Sequence, residues 1–499
     1  LASVLVLLPG LGRTGFPMDE GQLVAYPELV QRGAIPNLDF ESSYGPANLW
    51  VLGLAFRVLG GGVGAERLVG LGYRWLIVAG VYALAATLSG GGRDRPSRRG
   101  VASVAAVTTA AFLAASGPYA FAWFGGIAAA LWSIQACHRG LTYAAWPALA
   151  RAGALAGIAV SFRLDLAPAV ALSALPFITA APGRGRVAYG AGLALGLLPL
   201  AAHVARIGVE RAWHGLFVET VLLAGPGRRL PIPPYLFPDA FFVVAGVAAV
   251  AALVWLAARA AAAGPLDPSV RAWLALAALS LGVLPQLLQR ADSWHAIDAA
   301  CVALPLCPVA ALRAGRARYL GLAAAAAAVG LVSIGVGLAD AASGARWLEH
   351  AGRRFPLEPR LAAHLQPVLR EVDRRAAAGD TLFVGPRDLR RTNYGDTFVY
   401  FLLPRLRPAS YFTEMNPGVA NAPGSPLARD LERADFLILT DRFDRWDEPN
   451  ASALSGPAAP LRVVRDRFCR RLVSGTFELY ERCDRGSGAA GAPPSSCRK

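Results

Sequence analysis

The amino-acid sequence predicts a polytopic α-helical membrane protein of about eleven transmembrane helices, with a C-terminal α/β domain outside the membrane. Three observations carry this prediction. Of 499 residues, 55% are hydrophobic and only 17% charged, against about 25% charged in an ordinary soluble domain, and the mean hydropathy is +0.42. Up to about residue 339 the apolar residues fall in long runs separated by short arginine clusters. Beyond that point the composition changes to that of a water-soluble chain. The whole argues against one large soluble enzyme. A net charge of +15 and a pI near 10.1 would normally raise nucleic acid as a partner. The arginines form no basic stripe, and that partner is set aside.

The opening run LASVLVLLPGLG is short for a span of roughly 20 residues, so the expectation is a first helix clipped at its start. A cleaved signal peptide is the rival reading, but no small-residue cleavage pattern follows. Further spans are predicted at 67–89, 101–117, 119–136, 143–160, 166–182, 187–205, 239–259, 270–288, 296–312 and 318–338. Segment 46–60, PANLWVLGLAFRVLG, is short and holds Arg57; it reads as a helix lying at the membrane surface or as a re-entrant segment.

Arginine bias sets the orientation. One set of loops holds Arg93, Arg95, Arg98, Arg99, Arg139, Arg184, Arg186, Arg259, Arg271, Arg313, Arg316 and Arg318 against only Asp94 and Asp267, and is placed in the cytoplasm. The opposite set holds Asp19, Glu20, Glu28, Asp39 and Glu41. The N-terminus is therefore expected inside a bacterial inner membrane, and everything after about residue 340 outside it.

This organisation gives a transmembrane domain at 1–339, with an outer loop at 13–66, an extracytoplasmic α/β domain at 340–485, and a tail at 486–499 whose composition predicts disorder. In the α/β domain a helical stretch at 359–378 leads to the strand TLFVG (381–385), and PLARDLERADFLILT (426–440) predicts a second helix–strand pair. LRVVRDRF (461–468) and TFELYER (476–482) predict a hairpin turning at Gly475. Cys469 and Cys483 flank it, offset by a couple of residues from direct pairing, and a disulfide and two free thiols both stay open. Cys137, Cys301 and Cys307 lie in or beside spans, as small packing residues do. The sequence has no metal-ligand spacing of the CxxC or HExxH kind.

A charge at mid-span costs about 2.5–3.5 kcal/mol, so polar clusters beside spans are functional candidates. Four of them lie on the predicted outer face. The first is Asp19-Glu20, an acidic pair that would also suit the first turn of the following helix. The second is Ser161-Phe162-Arg163-Leu164-Asp165, and the third is Gln289-Arg290-Ala291-Asp292-Ser293-Trp294-His295. Both contain R-x-D. Each such pair is either a local staple between two helices or a guanidinium clamp for a lipid phosphate, which arginine binds bidentately. His295 would add a donor to that phosphate, and Asp298, one turn further on, is expected to pair within the bundle. The fourth is the outer loop 206–238, where Arg228-Arg229 either contact a phosphate or belong to an interfacial segment anchored by Trp213, Tyr235 and Phe237.

The first loop, GFPMDEGQLVAYPELVQRGAIPNLDFESSYGP, resembles that of the GT-C integral-membrane glycosyltransferases. Asp-Glu follows the first span, then G-x-x-P-x-x-D-F at Gly33–Phe40, then Tyr44-Gly45-Pro46 before an apolar segment. The resemblance covers residues 1–90 and extends further through topology; protein mannosyltransferases and aminoarabinose transferases belong to the group. It implies an inverting hexosyl- or pentosyltransferase that moves a sugar from a polyprenyl-phosphate donor to a hydroxyl of an acceptor glycan, lipid or protein at the outer face. Asp19 would be the loop's catalytic acidic residue, acting as base, with Glu20 sharing that role or orienting the acceptor. Arg163, Arg290, His295, Arg228 and Arg229 would bind the donor phosphate, supported by Asp165, Asp292, Asp39 and Tyr44. Tyr44-Gly45-Pro46 departs from the Pro-Pro form of some relatives, which leaves the subfamily open. No cofactor is called for, although a divalent cation near Asp19 stays an option because some relatives use one; no second acidic ligand is identifiable. The rival readings are a transporter or flippase for lipid-linked envelope precursors, which would need mid-span acids and often inverted repeats, and a non-catalytic scaffold. In the C-terminal domain NYGDTFVYFLLP (393–404), YFTEMNPG (411–418) and WDEPNAS (446–452) read equally as sugar-binding surfaces and as loop packing.

Overall fold

The computed structural model describes residues 2–89, 97–232, 236, 238–342, 344–446 and 448–487. Arg93, Asp94, Arg95, Tyr235, Phe237 and nearly all of the tail predicted at 486–499 lie outside the described residues. Contacts divide the chain into two compact units. One comprises Leu1–Thr14, Ser42–Val221 and Arg229–Gly344, and the other Gly15–Glu41, Leu222–Arg228 and Ala345–Lys499. The loop segment carrying Asp19, Glu20 and Asp39 thus belongs to the unit of the C-terminal sheet, whereas Tyr44 belongs to the helices.

Among its described residues the first unit is built from helices and the loops that join them, as its apolar runs require: in lipid each backbone group must be paired within its own segment. Helices occupy every predicted span, and Pro46–Leu59 forms the short helix read from segment 46–60. Among the described residues, Val63–Leu88, Asp239–Ala262, Pro268–Gln289 and Arg316–Ala342 are each long and apolar enough to cross a membrane. Two bent pairs, Gly183–Gly196 with Leu198–Ile207 and Ser293–Ala300 with Ala303–Ala314, bring that number to six if each is one span. This makes the chain a multi-pass membrane protein. Packing between its helices relies on small residues. Gly153 and Gly157 of Trp146–Phe162 face Gly192 and Gly196 of Gly183–Gly196, so closely that a Cβ on Gly192 would stand 1.9 Å from the Ala150 carbonyl oxygen.

Among its described residues the second unit holds seven strands. β1 (Arg346–His350) and β2 (Arg353–Leu357) form an antiparallel hairpin. β3 (Thr381–Pro386), β4 (Arg407–Pro408), β5 (Phe436–Thr440), β6 (Phe468–Ser474) and β7 (Phe477–Arg482) form a sheet of order β4-β3-β5-β7-β6. β3 runs parallel to β4 and β5, and β7 antiparallel to β5 and β6. β5 is buried along its whole length, which explains why FLILT reads as an unbroken apolar run. Helix Pro359–Arg375 buries Ala362, Leu365, Val368, Leu369 and Val372, a 3.6-residue stripe.

The predicted hairpin needs one correction. Residues 461–467 belong to a helix, Ala459–Arg467, and the first hairpin strand begins only at Phe468. Pro460 sits in the first helical turn, where its missing N–H costs nothing, and the buried positions Pro460 and Val464 are four apart. That spacing outweighs the β-branched Val463-Val464. Gly475 makes the turn with φ +55°, and a disulfide joins Cys469 to Cys483 across the hairpin.

Candidate functional site

In the helical unit several helix ends meet around a group of polar side chains. Pro46 opens Pro46–Leu59, and the preceding Gly45 N–H donates to the Phe162 carbonyl at 2.9 Å. A Cβ on Gly45 would stand 2.3 Å from the Ser161 oxygen, so only glycine permits this approach. It brings Tyr44 to Arg163, on which Tyr44 and Asp298 both act electrostatically. Arg163 itself ends helix Trp146–Phe162 and folds back on Asp165, donating from Nε to Oδ1 at 2.9 Å and from Nη2 to Oδ2 at 2.5 Å. Gln286 donates to the same Asp165 carboxylate. The Arg163 guanidinium lies 5.2 Å from the Trp123 ring centre, and the Trp123 indole N–H donates to the Asp298 carbonyl at 3.2 Å.

Arg290 ends helix Pro268–Gln289 and donates from Nε to Asp292 Oδ2 at 2.9 Å. Asp292 caps Ser293–Ala300: its Oδ1 accepts from the His295 backbone N–H at 2.9 Å and lies 2.8 Å from His295 Nδ1. Both R-x-D pairs are therefore ion pairs in fact, and neither is closed off. Arg163 and Arg290 each keep 20% of their side-chain surface exposed and His295 keeps 34%. Asp298 lies one turn beyond His295, with His295, Arg74, Arg163 and Asp292 as the charges acting on it. Its Oδ1 is buried without a hydrogen-bond partner among the described residues.

Behind this group stands a second layer that sequence reasoning missed. Arg74 is fully buried and donates to the carbonyls of Gly70, Tyr119 and Ser116, with Ser116 Oγ a further acceptor. Its guanidinium sits 3.9 Å from the Phe124 ring centre. Glu66 Oε1 accepts from the Ala120 N–H at 2.5 Å. Together they fix the loop Ser116–Ala120, whose Tyr119, with Phe121 beside it, packs against Trp294 at 6.0 and 6.4 Å. The signal was available, since Arg67 and Arg74 are charges seven apart, on one helix face, inside a predicted span.

The other predicted residues, Arg229 excepted, fall in the second unit. Asp19 and Glu20 form the first turn of helix Asp19–Gln31. Glu20 is buried and its Oε2 accepts from the Phe16 N–H at 3.1 Å, whereas Asp19 is half-buried. Asp39 Oδ2 accepts from the Ile35 N–H at 2.7 Å and closes the turn before Phe40. The Asn416 amide bridges Glu41 Oε1 at 2.8 Å and Glu414 Oε2 at 2.9 Å, and the Thr413 hydroxyl donates to Tyr26 at 2.9 Å. Burial pushes the Glu414 carboxyl above the usual range, against the pull of Arg228 and the Asn416 bond. Burial raises Glu28 as well, against Arg353 and Arg32. Arg228 belongs to this unit and Arg229, exposed, to the helical one. The aromatic and amide phrases spend much of their polarity internally: Asn393 donates to the Phe443 carbonyl, Asp396 pairs with Arg442 at 2.6 Å, and Asn450 donates to Glu448 at 2.7 Å. Among the described residues no three His, Cys, Asp or Glu side chains are grouped to hold a metal ion.

Fold and site together define a multi-pass membrane protein with a charged, aromatic-walled site at its helix ends and an appended α/β unit. Its fold is similar to that of ArnT from Cupriavidus metallidurans, a structure bound to undecaprenyl phosphate. The TM-score is 0.56 at 14% identity, over 99% of this chain and 98% of that one. The chain thus has an ArnT-like fold, in keeping with the resemblance of its first loop. A weaker likeness, with a TM-score of 0.49 and 15% identity, covers 96% of this chain and 41% of the mycobacterial arabinofuranosyltransferase AftD. No family model and no curated protein sequence matches the chain.

Proposed function

We propose that the chain is a membrane glycosyltransferase that moves a sugar from a polyprenyl-phosphate donor to an acceptor hydroxyl, with inversion, at the outer face of a bacterial inner membrane. The observation that carries this reading is the meeting of Arg163, Arg290 and His295 at one set of helix ends, in a fold shared with a protein solved with undecaprenyl phosphate. Guanidinium groups held by carboxylates at fixed geometry, yet still partly exposed, suit the non-ester oxygens of a phosphodiester. Asp165 and Asp292 orient them, and Tyr44 flanks Arg163. Arg229, exposed, fits a headgroup contact, whereas the charge of Arg228 is directed at Glu414.

In the reaction the acceptor oxygen attacks the anomeric carbon, its proton passes to a carboxylate base, and the bond from that carbon to the phosphate oxygen breaks. Asp19 is assigned the base. Glu20 is buried with one oxygen engaged by the Phe16 N–H, which leaves Asp19 as the more accessible of the pair, and Asp39 braces the same loop. The sugar is a hexose or pentose and the acceptor a glycan, lipid or protein.

The test uses the purified chain with a panel of polyprenyl-phosphate hexoses and pentoses. Asp19→Asn should lower turnover by about 10²–10⁴-fold, the range of general-base catalysis, with polyprenyl-phosphate binding retained. Arg163→Ala should weaken that binding. A wild-type chain that binds no polyprenyl phosphate, or an Asp19→Asn variant as active as wild type, would falsify the assignment.

A further inference from the structure

The glycosylated donor is a phosphodiester with one negative charge, while the polyprenyl phosphate left after transfer is a monoester carrying about −1.5 to −2 near neutral pH. The electron pair of the broken carbon–oxygen bond stays on the phosphate, and the acceptor proton leaves with the base. A turning-over site has to bind the first species and let go of the second, although their lipid chains are identical.

The charges around the helix ends are nearly balanced. Arg74, Arg163 and Arg290 stand among Glu66, Asp165, Asp292 and Asp298. Asp165 and Asp292 are each bound by the arginine two residues before them, and Glu66 receives the Ala120 N–H. Asp298, the acid one turn beyond His295, has its Oδ1 buried with no donor among the described residues. The Trp123 indole ties the Asp298 backbone to the ring on which Arg163 rests. His295 lies one turn earlier on the same helix.

The geometry points to Asp298 as a specificity-determining residue of the donor site: its carboxylate, held beside Arg163 and His295, admits the singly charged sugar phosphodiester and disfavours the more highly charged polyprenyl phosphate, so that the spent lipid is released. This rests on the function proposed above. Asp298 is half-buried with one oxygen enclosed; a carboxylate in the wall of such a site acts on a ligand at short range, and like charge there costs most for the ligand with the larger charge.

The experiment uses the full chain in lipid nanodiscs, with undecaprenyl phosphate and its methyl phosphodiester as probes and tryptophan fluorescence as readout. Wild type should bind the diester at least as tightly as the monoester. Asp298→Asn should bind the monoester roughly tenfold tighter, the scale of charge-pair effects at binding sites, with the diester nearly unchanged, and should show stronger product inhibition in turnover. A merely structural role would move both lipids alike. A wild type that prefers the monoester overturns the inference whatever the variant does, so the proposal remains decidable even if Asp298→Asn folds poorly. If Arg163→Ala weakens both lipids while Asp298→Asn leaves their ratio unchanged, the Asp298 assignment fails and the transferase reading stands. If wild type binds neither, both fall.

Discussion

Replacing Arg74 by methionine keeps the apolar stem and much of the volume while deleting the guanidinium. In the structure that group supplies donors to the Ser116 and Tyr119 carbonyls, in addition to the Gly70 carbonyl of its own helix, and it faces the carboxylates of Glu66 and Asp298. The variant leaves two buried loop carbonyls without this donor, at about 1–3 kcal/mol each, and leaves the carboxylates less balanced. The expected loss of stability is about 3–5 kcal/mol, the range for breaking a buried charge arrangement from one side. Unfolding of the purified protein in detergent measures it, with Trp294 fluorescence reporting on the Tyr119 and Phe121 packing. Glu66→Gln should act on the same loop through Ala120, so that the double variant costs less than the two single ones together. An Arg74→Met protein within about 1 kcal/mol of wild type, with its Trp294 signal unchanged, would show that the loop does not depend on this side chain.

In the second unit, the raised Glu414 carboxyl means that the folded state holds a proton the unfolded state gives up. Stability from this group is therefore lost as pH rises from the ordinary value of 4.5 through the raised one. Glu414→Gln should flatten that slope, read from hydrogen exchange of β3 and β5 amides in the two proteins at matched pH; identical slopes would refute the assignment. The disulfide closes a separation of 14 residues, a loop worth about 3 kcal/mol. Cys469→Ser with Cys483→Ser should lower the stability of the hairpin unit by about 2–3 kcal/mol, and thiol alkylation that labels both cysteines in the unreduced native protein would rule the bond out.

What could be read from the sequence was whatever declares itself by period or by cost. Apolar runs found the helices, FLILT and TLFVG found the buried strands, and a charge next to a span found Arg163 and Arg290. The hairpin misreading came from giving Val463-Val464 the weight of a strand when Pro460 and Val464 set a helical spacing. The grouping of residues 15–41 with the C-terminal sheet was not legible, because it rests on long-range bonds such as Thr413 to Tyr26 and Asn416 to Glu41, which leave no local pattern. Trp123 and Gln286 were missed for the same reason. Each is an ordinary span residue until the chain brings it to Asp298 or Asp165.

The net charge of +15 also takes on a different meaning inside the helical unit. Arg13, Arg67 and Arg74 are all but completely buried, and their partners are chiefly backbone carbonyls. Arg13 binds those of Ala115 and Gly337, Arg67 those of Leu11 and Arg13, and Arg74 those of Ser116 and Tyr119. These are helix-end and loop carbonyls, the groups for which a membrane offers no water. A guanidinium presents five donors in a fixed fork and a lysine three from a single point, so arginine reaches more widely spaced carbonyls from one stem. The irregular backbone at 116–120 is held by the donors of Arg74, and that backbone in turn sets Tyr119 and Phe121 against Trp294. The buried arginines thus act on the site through the chain they hold in place, while Arg163 and Arg290 keep exposed surface for a ligand.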